Sequence, residues 1–312
     1  MTNSVNLALL RRDGDIHASV FIEPVLFLKK YFVDRGWKVS ITDNHLSQDC
    51  INIVFGAHAV PSRVRDEKAR LIIFNLEPLG VGSPFDTVGY RELLSASPTI
   101  DYDGQNLKYY HSHGTGKFPP REVVTFSDAR YPVFDKKIPV SNRSSDLLFF
   151  GSLNPYRVDL LRKIANIGVR LRVITPSQPV YGVERDKLIL CSSAVLNLPY
   201  YENAPFEQVR VYHVLSLGTP VISHIPNLIP EGYSKAVTWV SPSHMEEFFR
   251  VNFRSVDWFT EAEVQLTRWR ECSASIGLTR LEEFVRNACQ EYCDLTGQVP
   301  KFLQSSSDNL TV

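Results

Sequence analysis

The chain has 312 residues, 44% hydrophobic and 22% charged, the balance of a soluble globular protein with room for two ordinary domains or one large one. Its 34 basic and 34 acidic residues cancel, so no global field favours nucleic acid, an anionic membrane or an acidic polymer, and any anionic ligand must be met by local charge. The five cysteines form neither an even set nor a CxxC pair, and no basic segment leading into an apolar core opens the chain, so the cytoplasm is the expected compartment. No apolar run reaches the ~20 residues that span a bilayer, so any membrane contact would be peripheral, at the inner face. Cys289 and Cys293 stand at i, i+4 without partner ligands nearby and read as small buried side chains rather than metal ligands.

Strands alternate with helices along the first half: Val5–Leu10, a helix from about His17 to Arg35, then strands at Lys38–Thr42, Ile51–Phe55 and Leu71–Asn75. In the helix, Phe21, Val25, Leu28 and Phe32 share one face for packing on a sheet, and Gly36 ends it. The proline-rich, polar stretch over 131–145 breaks the pattern and is the expected linker between a first domain, 1–130, and a second, 146–300. The second run comprises strand Asp146–Phe150, helix Pro155–Ile167, strand Arg170–Thr175, helix Gly182–Cys191, strand Ala194–Leu198, helix Pro205–Leu217 and strand Thr219–Ser223. Strands spaced by helices of this length imply parallel pairing and a second Rossmann-like sheet. From Ser243 on the chain reads as helical, with Leu281, Phe284, Val285 and Ala288 as a stripe, and 301–312 forms a polar tail expected to be disordered.

Two segments carry the chemistry. In "LLFFGSLNPYRVDLL" an apolar strand turns at Gly151 into a helix with Asn154 as candidate cap and Pro155 at its first position, which builds a helix N-terminus at a strand's carboxyl edge. Such a place attracts phosphate, and Arg157 in the first turn can reach the same anion. With one glycine the turn departs from the dinucleotide fingerprint GxGxxG. In "AVLNLPYYENAPFEQVRVYHVLSLGTPVIS" a buried strand runs into an aromatic and polar loop, Tyr200, Tyr201, Glu202 and Asn203, before a helix bearing Glu207 and Arg210 one turn apart.

The run "FEQVRVYHVLSLGTPVIS" resembles the donor-site helix of GT-B glycosyltransferases, and "YYEN-PFEQVR" is similar to bacterial surface-glycan, group 1-like members. "FFGSLNPYR" resembles the phosphate-proximal loop of the same domain. The resemblance covers residues 146–240 and is only topological over 1–130. It implies an α/β fold of two Rossmann-like domains, GT-B type, with a cleft between them. The implied activity is metal-independent transfer of a sugar, hexosyltransferase-like and of the kind used in polysaccharide biosynthesis. The partners are a nucleotide sugar as substrate and a glycan, lipid-linked or small-molecule acceptor, with no cofactor. By the same resemblance Gly151, Ser152 and Asn154 lie near the donor diphosphate, Arg157 offsets its charge, and Tyr181 with Gly182 borders the nucleobase. Tyr200, Tyr201, Glu202 and Phe206 line the donor, Glu207 accepts hydrogen bonds from its hydroxyls, and Arg210 orients Glu207 or touches phosphate. The two glutamates of retaining members fall on Pro205 and His213 here, so the course, retaining or inverting, stays open. A sugar-nucleotide epimerase of the same architecture and a catalytically inactive binding protein are the alternatives.

In the first half "NLEPLG" puts Glu77 just past a strand's carboxyl end, a candidate general base for an acceptor hydroxyl, and "FGAHAVP" puts His58 in the equivalent place one strand away. Asp101 and Asp103 read as turn formers, and "HSHGTG", residues 111–116, as an acceptor-side loop rather than a metal site.

Overall fold

The computed structural model describes residues 3–12, 16–61, 64, 69–110, 121–124, 140–143, 145–201, 203–271 and 280–296. It contains two compact units: one of Met1–Val124 together with Ile276–Val312, the other of Thr125–Ser275.

The first unit is built on a parallel sheet of β1 (Ser4–Leu9), β2 (Lys38–Asp43), β3 (Ile51–Phe55), β4 (Leu71–Asn75), β5 (Thr99–Asp101) and β6 (Arg121–Val123), in the order β2-β1-β3-β4-β5-β6. Central β3 is buried along its whole length, whereas edge strand β2 is largely exposed, as expected for a sheet covered on both faces. Helix α1 (Ile22–Val33) buries Val25, Leu28 and Phe32, and Phe21 just before it is buried too, so the expected face holds. The preceding residues Ile16–Phe21 form a 3-10 turn rather than α-helix, so the α-helix begins about five residues later than the periodicity suggests. On one face Ala8, Val54 and Ile73, in register across β1, β3 and β4, meet Tyr90, Leu93 and Leu94 of α2 (Val88–Ala96). Neither α2 nor the three-residue strands β5 and β6 stood out in the sequence.

The second unit has a parallel sheet of β7 (Ser145–Phe150), β8 (Leu171–Ile174), β9 (Ser192–Asn197), β10 (Val221–His224) and β11 (Thr238–Val240), ordered β11-β10-β9-β7-β8. Around it lie α3 (Pro155–Asn166), α4 (Gly182–Cys191), α5 (Gln208–Ser216) and α6 (Val256–Glu271). Two Rossmann-like parallel sheets in one α/β chain are the expected fold class. Helix α5 starts at Gln208 rather than Pro205, because Phe206 turns inward between Tyr233 and Trp239, with ring centroids 5.1 and 5.0 Å away, and holds the approach out of helical course.

Two expected boundaries move. The described end of the expected linker is part of the second unit: the Val140 N–H donates to Glu263 at 2.9 Å, and buried Arg143 donates to the carbonyls of Ser192 (3.0 Å) and Gly218 (2.5 Å) and to the Thr219 hydroxyl (2.6 Å). The rest of that linker and the 301–312 tail lie outside the described residues. The last helix, α7 (Leu281–Thr296), belongs to the first unit rather than to a 146–300 domain. It buries the expected stripe of Leu281, Phe284, Val285 and Ala288, while Trp37 Nε1 donates to Glu282 at 2.9 Å and Arg286 donates to Asn3 at 3.1 Å.

The amino edge of the second sheet is tied by Asp146, a buried carboxylate on β7 that accepts from the Arg170 main chain (3.0 Å) and side chain (2.8 Å) and pairs with Arg254 (2.9 Å). Burial alone would raise its pKa, but the Arg170 hydrogen bonds and the charges of Arg254 and Arg170 outweigh it and hold the carboxyl below the ordinary aspartate value. A depressed folded pKa contributes stability above the unfolded value and loses it as pH falls through the folded one. Asp146→Asn is expected to cost about 2 kcal/mol at neutral pH, from lost charge-assisted hydrogen bonds. Urea denaturation across pH should show the gap to the natural protein closing below the normal aspartate range.

Candidate functional site

In the second sheet the winding reverses between β7 and β9, and a doubly wound sheet binds its ligand at the carboxyl ends of the strands flanking such a reversal. Two arginines from different helices converge there. Gly151 follows β7 with φ +145°, a conformation that favours glycine, and a Cβ on it would lie 3.2 Å from Arg210 Nη2 and 3.4 Å from Arg157 Nη1, so both guanidinium groups come close to the chain here. Arg210 donates from Nη1 to Asn197 Oδ1 at 3.0 Å and stands 3.4 Å from Glu207, the pair expected from their spacing. Asn197, the buried last residue of β9, in turn donates to Ser223 Oγ on β10 at 3.0 Å.

Arg157 is 1% exposed and acts partly as a strut: it donates to the carbonyls of Ser152 (2.7 Å), Pro199 (3.3 Å) and Leu198, tying the ends of β7 and β9 together. Burial first, and then the neighbouring Arg210 charge, pushes its pKa down to about 10, with Glu207 opposing. A third arginine, Arg185 on α4, is buried with Cζ 5.5 Å from the Phe150 ring, the same distance as Arg210 Cζ. Its pKa is also lowered, by burial and by Arg210, against the pull of Asp186. Asp186 is engaged by His213 Nε2 at 2.7 Å, and among the described residues the half-exposed Glu207 is the carboxylate paired with Arg210. This edge of the sheet is cationic, and an anion would relieve the repulsion its side chains carry.

The helix N-terminus contributes less than the sequence suggests. The Gly151 N–H donates to the Ile174 carbonyl at 3.0 Å, and Asn154 caps α3 by accepting from the Arg157 N–H at 2.8 Å. Two of the main-chain amides at this turn, those of Gly151 and Arg157, are thus satisfied within the protein, and the arginine side chains add positive charge beside them. Asn154 also donates to the Tyr200 carbonyl at 2.6 Å, so it secures the loop. Arg157 Cζ lies 5.2 Å from the Tyr200 ring, which meets the Tyr201 ring edge-on at 4.8 Å. Tyr181 precedes α4 within 5.8 Å of Arg185 Cζ, followed by Gly182 at φ +59°, while Ser152 is exposed beside the cluster. Phe206 is a correction: it is buried in the aromatic core and does not line the site. Glu202 and the 111–116 histidines lie outside the described residues. Among the described residues no group of three His, Cys, Asp or Glu is placed to hold a metal, and no helix is long and apolar enough to cross a membrane.

In the first unit the structure brings His58 and Glu77 together, with Nε2 3.5 Å from Oε1 and both side chains largely buried. Gly56, at φ +77°, makes this possible: a Cβ there would lie 2.0 Å from the Leu10 carbonyl oxygen, so the chain leaving β3 packs directly on that leaving β1. The His58 ring sits against Phe85 at 4.6 Å, with Phe21 and Tyr90 each at 5.9 Å. Asp101 and Asp103 are turn formers as expected, accepting from the N–H groups of Asp103 and Gln105, both at 2.8 Å. Sequence reasoning missed Arg185, Asn197 and Asn75. The available signal for the two asparagines was a polar residue closing an otherwise apolar strand, "AVLN" and "LIIFN".

No family model matches the sequence, and no curated protein matches it in sequence. Among solved structures the chain is similar to an α1,3-fucosyltransferase, at 10% identity and TM-score 0.46 over 92% of this chain and 90% of that one. It is also similar to a mutant O-GlcNAc transferase of Thermobaculum terrenum, at 12% identity and TM-score 0.48 over 93% and 69% of the two chains. A third match, LpCGTa in complex with UDP, has 11% identity and TM-score 0.48 over 92% and 99%. At such identities and TM-scores the likeness is one of fold, and a reading of function has to come from the side chains themselves.

Proposed function

We propose that this chain is a glycosyltransferase that takes a sugar from a nucleotide-sugar donor, with the donor diphosphate held in the second unit by Arg210 beside the buried charge of Arg157. The observation that carries the reading is the convergence of these two guanidinium groups on Gly151, at the point where the sheet reverses its winding, with the half-exposed carboxylate of Glu207 beside Arg210. Breaking the bond from sugar to diphosphate leaves negative charge on the departing nucleotide. Fixed, partly buried cations stabilise that charge without having to reorganise. Glu207, held against Arg210, is free on its outer side to accept hydrogen bonds from the donor's hydroxyls. Tyr181 and Tyr200 offer ring faces beside the cationic cluster for the nucleobase or sugar.

His58 and Glu77 are the acid–base pair of this reading. In an inverting course the acceptor hydroxyl gives its proton to the pair, its oxygen bonds to the anomeric carbon, and the electrons of the broken bond leave with the diphosphate. The acceptor is a hydroxyl-bearing glycan, lipid-linked or small molecule.

Thermal-shift measurements with UDP, GDP, dTDP and CMP should show a rise in Tm for at least one of them. Arg210→Ala should weaken that ligand about 10- to 100-fold, the loss of one or two charge-assisted hydrogen bonds. Gly151→Ala, whose Cβ would crowd Arg210 Nη2 at 3.2 Å, should weaken it too. If no nucleotide shifts Tm, the donor assignment is wrong. Once a donor is in hand, His58→Asn and Glu77→Gln should each lower kcat for transfer by about 100-fold or more while leaving donor affinity unchanged. Unchanged kcat in both would remove the pair from the mechanism.

A further inference from the structure

Asn75, the last residue of β4, is fully buried, and its amide makes four hydrogen bonds. Oδ1 accepts from the Tyr90 hydroxyl at 2.8 Å and from the Glu77 N–H at 3.0 Å, while Nδ2 donates to Asp101 Oδ2 at 2.8 Å and to the Glu77 carbonyl at 3.0 Å. Two acceptor sites and two N–H donors are all that an asparagine side chain offers, so the set is complete. Its orientation is decided by its neighbours. A carboxylate only accepts, so Nδ2 must face Asp101. Burial first, then the charges of Glu77 and Asp101, raises the Tyr90 pKa well above its ordinary value, so its hydroxyl stays a donor and must face Oδ1.

One side chain therefore grips Glu77 at both its N–H and its C=O. Asn106 adds a second hold, with Nδ2 donating to the Glu77 carbonyl at 3.2 Å and to Asp101 Oδ1 at 2.9 Å, and Oδ1 accepting from the Leu79 N–H at 3.0 Å. From this anchored main chain the Glu77 carboxylate reaches His58 Nε2, whose ring is set between Phe85, Phe21 and Tyr90. A carboxylate facing one ring nitrogen favours the proton on that nitrogen.

We propose that Asn75 is a positioning residue: by clamping the main chain of Glu77 from both sides it holds the carboxylate on His58 Nε2, and so fixes the imidazole tautomer with its proton on Nε2 and its lone pair on Nδ1. This deepens the reading of His58 and Glu77 as an acid–base pair and rests on it for the consequence in catalysis. The tautomer itself exists without substrate.

The test is the imidazole 15N spectrum of His58 in the full chain, without nucleotide, at pH about 9, where an ordinary imidazole is neutral. The natural protein should show a protonated Nε2 and an unprotonated Nδ1. Glu77→Ala should move both resonances toward the averaged values of free imidazole, and Asn75→Ala should do the same. The double variant should go no further than Glu77→Ala alone. A purely structural Asn75 would lower Tm and leave the spectrum where it was, which would overturn the proposal. So would a further shift on adding Asn75→Ala to Glu77→Ala. Should Asn75→Ala not fold, Tyr90→Phe keeps the ring and removes only the hydrogen bond into Oδ1. It should give a smaller movement in the same direction, and an unmoved spectrum there also refutes the clamp. Because no nucleotide takes part, failure of this test and failure of the donor assignment are separate results.

Discussion

A parallel sheet covered on both faces ends each strand where the chain must turn among groups that water does not reach. A polar side chain placed there has to be satisfied from within the protein. Both units meet this constraint in the same way. An apolar strand closes on a buried asparagine, Asn75 on β4 and Asn197 on β9, and the amide serves a charged residue beyond it. Asn75 holds the main chain of Glu77, and Asn197 holds the guanidinium of Arg210. An amide suits the task because it offers donors and acceptors without adding charge of its own. The charged groups can then be fixed in direction while keeping part of their hydrogen-bonding capacity for a ligand.

The two carboxyl edges differ in sign, and the difference follows from what the amides support. In the second unit Arg157, Arg185 and Arg210 gather about Phe149, Phe150 and Gly151, and the lowered pKa values of Arg157 and Arg185 reflect burial and mutual repulsion. In the first unit the carboxylates of Glu77 and Asp101 lie close to Tyr90 and raise its pKa along with burial. One edge thus gathers guanidinium groups and the other carboxylates, each fixed by a buried amide.

The alternation of strands and helices was legible because periodicity reports burial, and the buried stripes of α1 and α7 follow it closely. Three-residue strands such as β5 and β6 have too few residues to show any period. Within the site, the Glu207–Arg210 pair was readable because both residues lie one helical turn apart. Arg157 was readable as a residue of the turn after β7 but not as a strut, since two of its carbonyl partners, Leu198 and Pro199, follow β9 some forty residues on. The meeting of His58 with Glu77 depends on the register of β3 and β4 and on the tight approach at Gly56, neither of which a linear pattern encodes. Phe206 shows the reverse error: a residue beside a binding loop in sequence is drawn into the aromatic core by Tyr233 and Trp239.

The return of α7 to the first unit makes the second unit an insertion within the first, so the polypeptide passes from one to the other twice. During synthesis the inserted unit is continuous and has all its strands before α7 emerges. The earlier-made unit must wait with the surface that receives Leu281, Phe284 and Val285 uncovered. Order of completion is therefore the reverse of order of appearance. Premature termination near the end of translation strips a helix from the amino-terminal half of the molecule and leaves the arginine-bearing sheet whole.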